Sequence, residues 1–330
     1  MIIHGDCLEE MRKMEENSIS AIVTDPPYGL SFMGKGWDHG IPNKTIWSEI
    51  LRIAKPGSYL LSFGGTRTFH RLTCAIEDAG WEIRDCLMWI YGSGFPKSHN
   101  HFGIDGYGTA LKPAWEPIIM AMKPCDGTFK QNAEKWGQAG INIEDSRVDD
   151  KRWPANLILD EFSSQMLDEQ SGLNKSKRSF RGKVEIFKKE NSWIGTSTQR
   201  GHDDSGGASR FFYCAKASSR ERNDGLEGLE LKKCSSKQVN SKDRYENGNS
   251  TNQRPSEPIR QNNHPTVKPL KLMEYLIKLI MPPKDGILLD PFAGSGTTIL
   301  AAKNLGYEAI GIEKDEGYCE IARKRLENTL

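Results

Sequence analysis

Residues 287–298 read Ile-Leu-Leu-Asp-Pro-Phe-Ala-Gly-Ser-Gly-Thr-Thr, an apolar run, a glycine-containing turn and a helix start. A buried strand that enters such a turn is typical of parallel α/β sheets, which bind ligands at the carboxyl ends of their strands. Gly294 and Gly296 let a ligand approach the backbone closely before a helix N-terminus. Glu313 ends the next predicted strand, where a carboxylate can accept both ribose hydroxyls of a nucleoside. The turn lacks the third glycine of a dinucleotide fingerprint and the lysine of a triphosphate loop, which weakens both of those predictions.

A second turn, Asp25-Pro26-Pro27-Tyr28, directly follows the apolar run Ala21-Ile22-Val23. The prolines stiffen the backbone and remove two donors, so its carbonyls can only accept hydrogen bonds. The Asp25 carboxylate also accepts, and Tyr28 offers a flat face for stacking. This chemistry suits the exocyclic NH2 group of a base taken out of its helix; a plain proline turn after a strand is the alternative.

The two turns lie in segments where short apolar strands alternate with helical spacing. This alternation runs through residues 1–123, is lost in 124–263 and returns at His264. It predicts an α/β protein with a mostly parallel sheet. Residues 124–263 are rich in Ser, Asn, Gly, Lys and Arg and predict an irregular insert, with 237–263 as loop or disorder.

Composition narrows the class of protein. The 330 residues carry a formal net charge of +1, and nothing in them approaches the length of a membrane span or a signal peptide. The seven cysteines are far apart and form no CxxC pair, so the sequence favours reduced thiols in the cytoplasm and no metal site.

A basic stretch within the insert is the candidate for nucleic-acid contact. Residues 175–200 carry eight basic side chains against two acidic ones, interleaved with aromatic residues. Such a stretch suits phosphate contact and base stacking, and a solvated loop is the equal alternative. The DNA-side candidates are Lys177, Arg178, Arg181, Lys188 and Lys189, with Lys35 and Trp37 from a glycine-rich loop near the N-terminus.

The pair DPFAGSGTT and DPPY resembles the amino-group DNA methyltransferases that use S-adenosylmethionine. The catalytic motif precedes the cofactor loop, with the insert between them, as in the β class of these enzymes. Residues 264–269 (His-Pro-Thr-Val-Lys-Pro) resemble the segment that leads into a helix beside the cofactor loop, and 5–8 (Gly-Asp-Cys-Leu) resemble the family's third cofactor strand.

Within the insert, Arg152-Trp153-Pro154-Ala155-Asn156 and Ser209-Arg210-Phe211-Phe212-Tyr213 resemble segments of phage or prophage members.

The resemblance implies a Rossmann-like methyltransferase fold, circularly permuted, with one sheet assembled from both ends of the chain. Residues 1–123 and 264–330 would form the catalytic and cofactor-binding domain, and 124–263 the target-recognition insert. The implied catalytic residues are Asp25, Pro26, Pro27 and Tyr28. The implied cofactor-binding residues are Asp6, Cys7, His264, Thr266, Lys268, Asp290, Phe292, Gly294, Gly296, Thr297 and Glu313. An N-cap role for Asp6 and a surface position for Lys268 are the alternatives.

The implied reaction is methyl transfer to N6 of a flipped adenine in double-stranded DNA, without a cysteine nucleophile or a metal. Cytosine-N4 methylation is the first alternative, since DPPY occurs with both bases, whereas a serine at its first position would favour cytosine. RNA or protein-glutamine methylation and a catalytically silent DNA-binding decoy are further alternatives. The sequence leaves open the recognition site, formation of a homodimer and partnership with a separate restriction endonuclease.

Overall fold

The computed structural model describes residues 1–30, 40–94, 98, 104, 106–177, 201–215, 226, 262, 267–283 and 286–328, and the backbone of 179–180, 199–200, 232–233 and 259–260. The strands are β1 (Ile2–His4), β2 (Ile19–Thr24), β3 (Ala54–Phe63), β4 (Glu82–Ile90), β5 (Trp115–Met122), β6 (Leu157–Asp160), β7 (Asn174–Ser176), β8 (Ser179–Phe180), β9 (Gln199–Arg200), β10 (Asp204–Gly206), β11 (Tyr213–Ala215), β12 (Lys232–Lys233), β13 (Ile259–Arg260), β14 (Ile287–Asp290) and β15 (Glu308–Glu313). The helices are α1 (Cys7–Met11), α2 (Lys44–Ile53), α3 (Phe69–Asp78), α4 (Phe129–Trp136), α5 (Glu161–Ser171), α6 (Leu270–Ile280), α7 (Thr297–Asn304) and α8 (Glu316–Asn328).

A sheet of nine strands runs through the described part of the chain, in the order β1-β15-β14-β2-β3-β5-β4-β6-β11. Neighbouring strands are parallel except where β5 runs antiparallel to β3 and β4. The predicted α/β class with a mostly parallel sheet is therefore confirmed. Both chain ends contribute neighbouring strands as expected, because Ile3 of β1 lies opposite Ile312 of β15.

Helices cover both faces of this sheet, which explains why its central strands are continuous apolar runs. All six residues of β2 are buried. Ala21 and Val23 pack into the core on the side of α6 and α7. Ile19 and Ile22 point the other way, into the core formed with α1, α2 and α3. The sheet is thereby fixed from both sides, and its strand ends are rigid platforms for side chains.

Two strands from the expected insert belong to the central sheet. Leu157–Asp160 (β6) pairs with β4, and Tyr213–Ala215 (β11) pairs with β6, both in parallel. The α/β core therefore extends past residue 123, and the loss of rhythm in 124–263 is less complete than the composition predicts. Short pieces such as these pair at a sheet edge where only three or four residues are needed. Target recognition by this region stays a prediction.

Candidate active site

The Asp25-Pro26-Pro27-Tyr28 turn lies at the carboxyl end of β2. The Tyr28 hydroxyl donates to Asp25 Oδ1 at 2.7 Å and lies 3.2 Å from Glu116 Oε2. The Thr68 hydroxyl donates to the Tyr28 carbonyl at 2.7 Å and fixes the end of the turn. Pro26 is buried, whereas the Asp25 side chain stays 20% exposed. Asp25 is thus a hydrogen-bond acceptor that is fixed in position and that a ligand can still reach.

Lys268 joins this acceptor rather than lying on the surface. Its Nζ lies 3.0 Å from Asp25 Oδ2, 2.9 Å from Glu116 Oε2 and 3.2 Å from the Tyr28 hydroxyl. The same Nζ lies 4.7 Å from the centre of the Phe63 ring, and the Lys268 side chain is only 9% exposed. The resemblance predicts Lys268 among the cofactor residues, whereas these contacts place its ammonium at the Asp25-Pro26-Pro27-Tyr28 turn.

Asp25, Tyr28, Glu116 and Lys268 are here called the acceptor cluster, and its two carboxylates shift the pKa values of Tyr28 and Lys268. Burial raises the pKa of the Tyr28 hydroxyl well above its ordinary value, and the Asp25 and Glu116 carboxylates raise it further. Burial alone would lower the pKa of the Lys268 ammonium, but the two carboxylates outweigh burial and raise it. Tyr28 is therefore a neutral donor and Lys268 a cation at neutral pH.

Glu116 is the member of the acceptor cluster that the sequence did not predict. It sits in β5, opposite Trp89 of β4, at the start of its strand. Because β5 runs antiparallel to its neighbours, its amino end lies at the same edge as the carboxyl ends of the parallel strands. The absence of helical spacing between β4 and β5 is the sequence signal for such a hairpin-like reversal.

The cofactor-type turn follows β14, directly beside β2. Gly294 and Gly296 adopt left-handed backbone angles, with φ of +51° and +78°. The Gly294 N–H donates to Glu313 Oε2 at 2.8 Å, and the Asp315 N–H donates to Glu313 Oε1 at 2.8 Å. Burial raises the pKa of Glu313, although these backbone bonds oppose the change. Each carboxylate oxygen keeps a second lone pair, which fits the pair of ribose hydroxyls of a nucleoside.

Asp290 ties the two turns together. Its Oδ1 accepts from the Thr24 hydroxyl at 2.8 Å and from the Phe292 N–H at 3.1 Å, and its Oδ2 accepts from the Thr298 hydroxyl at 2.5 Å. Asp290 is only 2% exposed. Burial raises its pKa to about 6, against the effect of these hydrogen bonds and with a contribution from Asp25. Asp290 therefore acts first as the clamp between the carboxyl ends of β2 and β14.

Arg325 of α8 supports the glycine turn from below. Its buried guanidinium donates to the Ser295 carbonyl at 2.7 Å and lies 3.0 Å from the Thr297 hydroxyl. A Cβ at Gly296 would lie 2.8 Å from the Cβ of Ala322 in the same helix. Thr297, expected to hold the cofactor or the loop geometry, thus contributes to the loop geometry through its hydroxyl.

Asp6 and Cys7 lie at the carboxyl end of β1, next to Glu313. Asp6 Oδ1 accepts from the Leu8 N–H at 3.1 Å, so the N-cap alternative for Asp6 holds. Its Oδ2 lies 3.3 Å from Lys314 Nζ. Burial raises the pKa of the Cys7 thiol to about 11, with Asp6 adding to this, so the thiol is neutral. Phe292 is half-buried in the cofactor turn, where one ring face can be offered to an adenine.

The carboxyl ends of β1, β15, β14 and β2 therefore bring one group of predicted residues to a single edge, namely Asp6, Cys7, Glu313, Asp290, Phe292, Gly294, Gly296, Thr297, Asp25, Pro26, Pro27 and Tyr28. Lys177 is exposed and follows β7, which does not belong to the nine-stranded sheet. The predicted residues His264, Thr266, Lys35, Trp37, Arg178, Arg181, Lys188 and Lys189 lie outside the described residues.

The described residues offer neither a metal-binding cluster nor a membrane-spanning helix. No group of three or more His, Cys, Asp or Glu side chains within them could hold a metal ion. No helix in the same part of the chain is long and apolar enough to cross a membrane.

Known proteins resemble the chain along its whole length. It is 23% identical to the type II methyltransferase M.HindIII of Haemophilus influenzae, over 98% of this chain and 94% of that protein. It is 24% identical to the type II methyltransferase M.HpaI of Haemophilus parainfluenzae, over 99% and 74% respectively. The cytosine-N4-specific PvuII DNA methyltransferase has a similar fold, with a TM-score of 0.53 and 16% identity over 98% of this chain and 85% of that one.

A family model described as DNA methylase, for the N6- and N4-directed enzymes, matches residues 19–324. The match spans both turns and the region between them. The enzymes of this family take their methyl group from S-adenosylmethionine, so the expected cofactor is confirmed. With DPPY and the glycine turn at one sheet edge, the chain therefore belongs to the N6/N4 family of DNA methylases.

Proposed function

We propose that this DNA methyltransferase acts on the exocyclic N6 of an adenine flipped out of double-stranded DNA. The observation that carries the proposal is the adjacency of β2 and β14. Leu289 of β14 lies opposite Ile22 of β2, and Thr24 donates to Asp290 at 2.8 Å. Those pairings bring an amine acceptor and a cofactor turn side by side at the carboxyl ends of neighbouring strands, where ligands bind.

S-adenosylmethionine supplies a sulfonium methyl group when it is bound. The cofactor turn suits it, because Glu313 can accept from ribose hydroxyls and Phe292 can pack on an adenine ring. Gly294 and Gly296 leave the backbone open to close approach by a ligand. Asp290 holds this turn against β2 through the Thr24 bond and so sets the distance between cofactor and acceptor.

The acceptor cluster would treat the target base as follows. Flipping the base costs a few kcal/mol of stacking and pairing. The Asp25 carboxylate and the Pro26 carbonyl accept hydrogen bonds from the two N–H groups of the amine, while the Tyr28 ring stacks on the base. The nitrogen lone pair is thereby turned out of conjugation towards the cofactor turn. Bound S-adenosylmethionine would supply the methyl group and leave as the thioether, and Asp25 would stabilise the cationic amine until its proton passes to water. Positioning and electrostatics supply most of the rate.

Adenine is favoured by the aspartate at the first position of the motif. The fold likeness to a cytosine-N4 enzyme does not bear on the base, since it rests on 16% identity. The insert, with its basic stretch at 175–200, is the proposed contact with the DNA backbone.

The test is nucleoside mass spectrometry of DNA treated with the purified protein and methyl-labelled S-adenosylmethionine. N6-methyladenine is the expected product, and N4-methylcytosine in its place would overturn the base assignment. Asp25→Ala should lower the product below detection while cofactor affinity, measured by calorimetry, stays within about twofold of the parent. Asp78→Ala, which changes an exposed aspartate at the end of α3, is the matched control and should keep full activity.

A further inference from the structure

We propose that Glu116 and Lys268 are positioning residues that set the acceptor cluster to a net charge of −1 and so keep Asp25 ready for the target amine. The inference rests on the proposed function of Asp25. Neither residue belongs to the DPPY motif. Glu116 comes from β5, and Lys268 from the segment just before α6.

The contacts of Lys268 use all of its donors within the cluster. An ammonium has three N–H groups. The distances of 3.0 Å to Asp25, 2.9 Å to Glu116 and 3.2 Å to the Tyr28 hydroxyl account for one each. Packing over the Phe63 ring and an exposure of 9% leave Lys268 little freedom to turn elsewhere. The ammonium is therefore a fixed part of the acceptor and not a mobile surface charge.

The net charge of the cluster shows that Glu116 and Lys268 act in opposite directions. Glu116 keeps the cluster negative, and Lys268 keeps Asp25 unprotonated. Two carboxylates and one ammonium sum to −1. If Lys268 faced Asp25 alone, the acceptor would be neutral and would stabilise a cationic amine less. If Lys268 were absent, Asp25 and Glu116 would share a partly buried site without a cation, and two such carboxylates take up one proton between them. A protonated Asp25 is a weaker hydrogen-bond acceptor for the amine. It also no longer carries the negative charge that stabilises the cationic product.

Two further titratable groups face the cluster from neighbouring elements. Tyr91, at the end of β4, has its pKa raised to about 12, first by burial and then by Glu116, with Lys268 opposing. It therefore stays neutral. Asp290 at the end of β14 interacts with Asp25 across the Thr24 bond and adds negative potential. Lys268 is thus the cation that contacts both carboxylates of the acceptor cluster.

Single-turnover methylation by four variants tests the proposal. Lys268→Met leaves Asp25 and Glu116 without their cation, so that the two carboxylates share a proton, and should slow the reaction about tenfold or more because the acceptor is then partly protonated. Glu116→Gln keeps the shape, brings the charge to 0 and should slow the reaction by a smaller factor. The double variant leaves Asp25 as a lone carboxylate of charge −1 with no partner to share a proton, and should react at least about fivefold faster than Lys268→Met alone. Lys268→Arg keeps the cation and should also outperform Lys268→Met.

The controls separate failure of this inference from failure of the proposed function. Cofactor affinity, measured by calorimetry, should remain within about twofold of the parent in every variant, which shows that each is folded. Absence of N6-methyladenine with the unchanged protein would refute the proposed function. If the unchanged protein is active, a double variant no faster than Lys268→Met, or a Lys268→Met variant as fast as the parent, would refute the charge role.

Discussion

Replacing Gly296 by alanine should weaken cofactor binding far more than the same change at Gly306. Both glycines have left-handed backbone angles, with φ of +78° and +79°. A Cβ at Gly296 would lie 2.8 Å from the Cβ of Ala322 and 3.2 Å from its Cα, whereas a Cβ at Gly306 meets no heavy atom within 4 Å. The two positions therefore share the backbone strain and differ in the collision, and only Gly296 lies in the cofactor turn.

The magnitude follows from these two parts. A left-handed residue with a Cβ costs roughly 1–2 kcal/mol, and both variants carry this cost. Overpacking against Ala322 adds about 1–3 kcal/mol at Gly296 alone. In Gly296→Ala the turn relieves that collision by moving away from α8. Cofactor binding requires the original geometry of the turn, so the collision energy reduces the free energy of binding. Cofactor affinity of Gly296→Ala should thus fall roughly 5- to 150-fold.

Isothermal calorimetry with S-adenosylmethionine on the parent and both variants measures this difference. Gly306→Ala should lose about 1–2 kcal/mol of unfolding free energy and keep its cofactor Kd within about twofold. The reasoning is refuted if Gly296→Ala binds as tightly as the parent, or if Gly306→Ala weakens binding to the same degree.

Two further changes test the clamp and the shared edge. Thr24→Val removes a hydrogen bond to buried Asp290 and should lower the free energy of unfolding by about 2 kcal/mol at pH 8, where the carboxylate is charged. Because burial raises the pKa of Asp290 from 3.8 to about 6, native protonation contributes stability that is complete below 3.8 and lost as pH rises through about 6. At pH 5 the loss from Thr24→Val should therefore shrink to about 1 kcal/mol, and equal losses in urea at both pH values would contradict the account. Deleting residues 1–6 removes β1 and the Gly5 N–H bond of 3.0 Å to the Glu313 carbonyl, so cofactor affinity should fall; retained affinity in calorimetry would count against a shared edge.

The sequence predicts the two ends of the fold well because local signals and packing agree there. The spacing over Leu270–Ile280, stopped by Pro282-Pro283, gives the bounds of α6 as found. Strand β14, Ile287–Asp290, coincides with the apolar run that enters the glycine turn. In both elements a strong apolar pattern ends at residues that cannot continue it, so the boundaries are set locally.

The acceptor cluster could be predicted only in part, because its members come from three distant places. Asp25 and Tyr28 are visible in the motif, whereas Glu116 depends on the direction of β5 within the sheet. The resemblance of residues 264–269 assigns Lys268 to the cofactor. A sequence motif does not show which of two adjacent turns a long side chain reaches. The edge strands β6 and β11 were missed as sheet members because three or four residues show too little periodicity.

The Thr24–Asp290 bond joins residues 266 positions apart. At a synthesis rate of about 5–20 residues per second, the second partner leaves the ribosome roughly 10–50 s after the first. Until then β2 lacks its β14 neighbour, so nascent chains and prematurely terminated fragments hold a motif without a methyl donor. The order of the chain thus delays completion of the sheet and of the site at its edge until translation has passed β15.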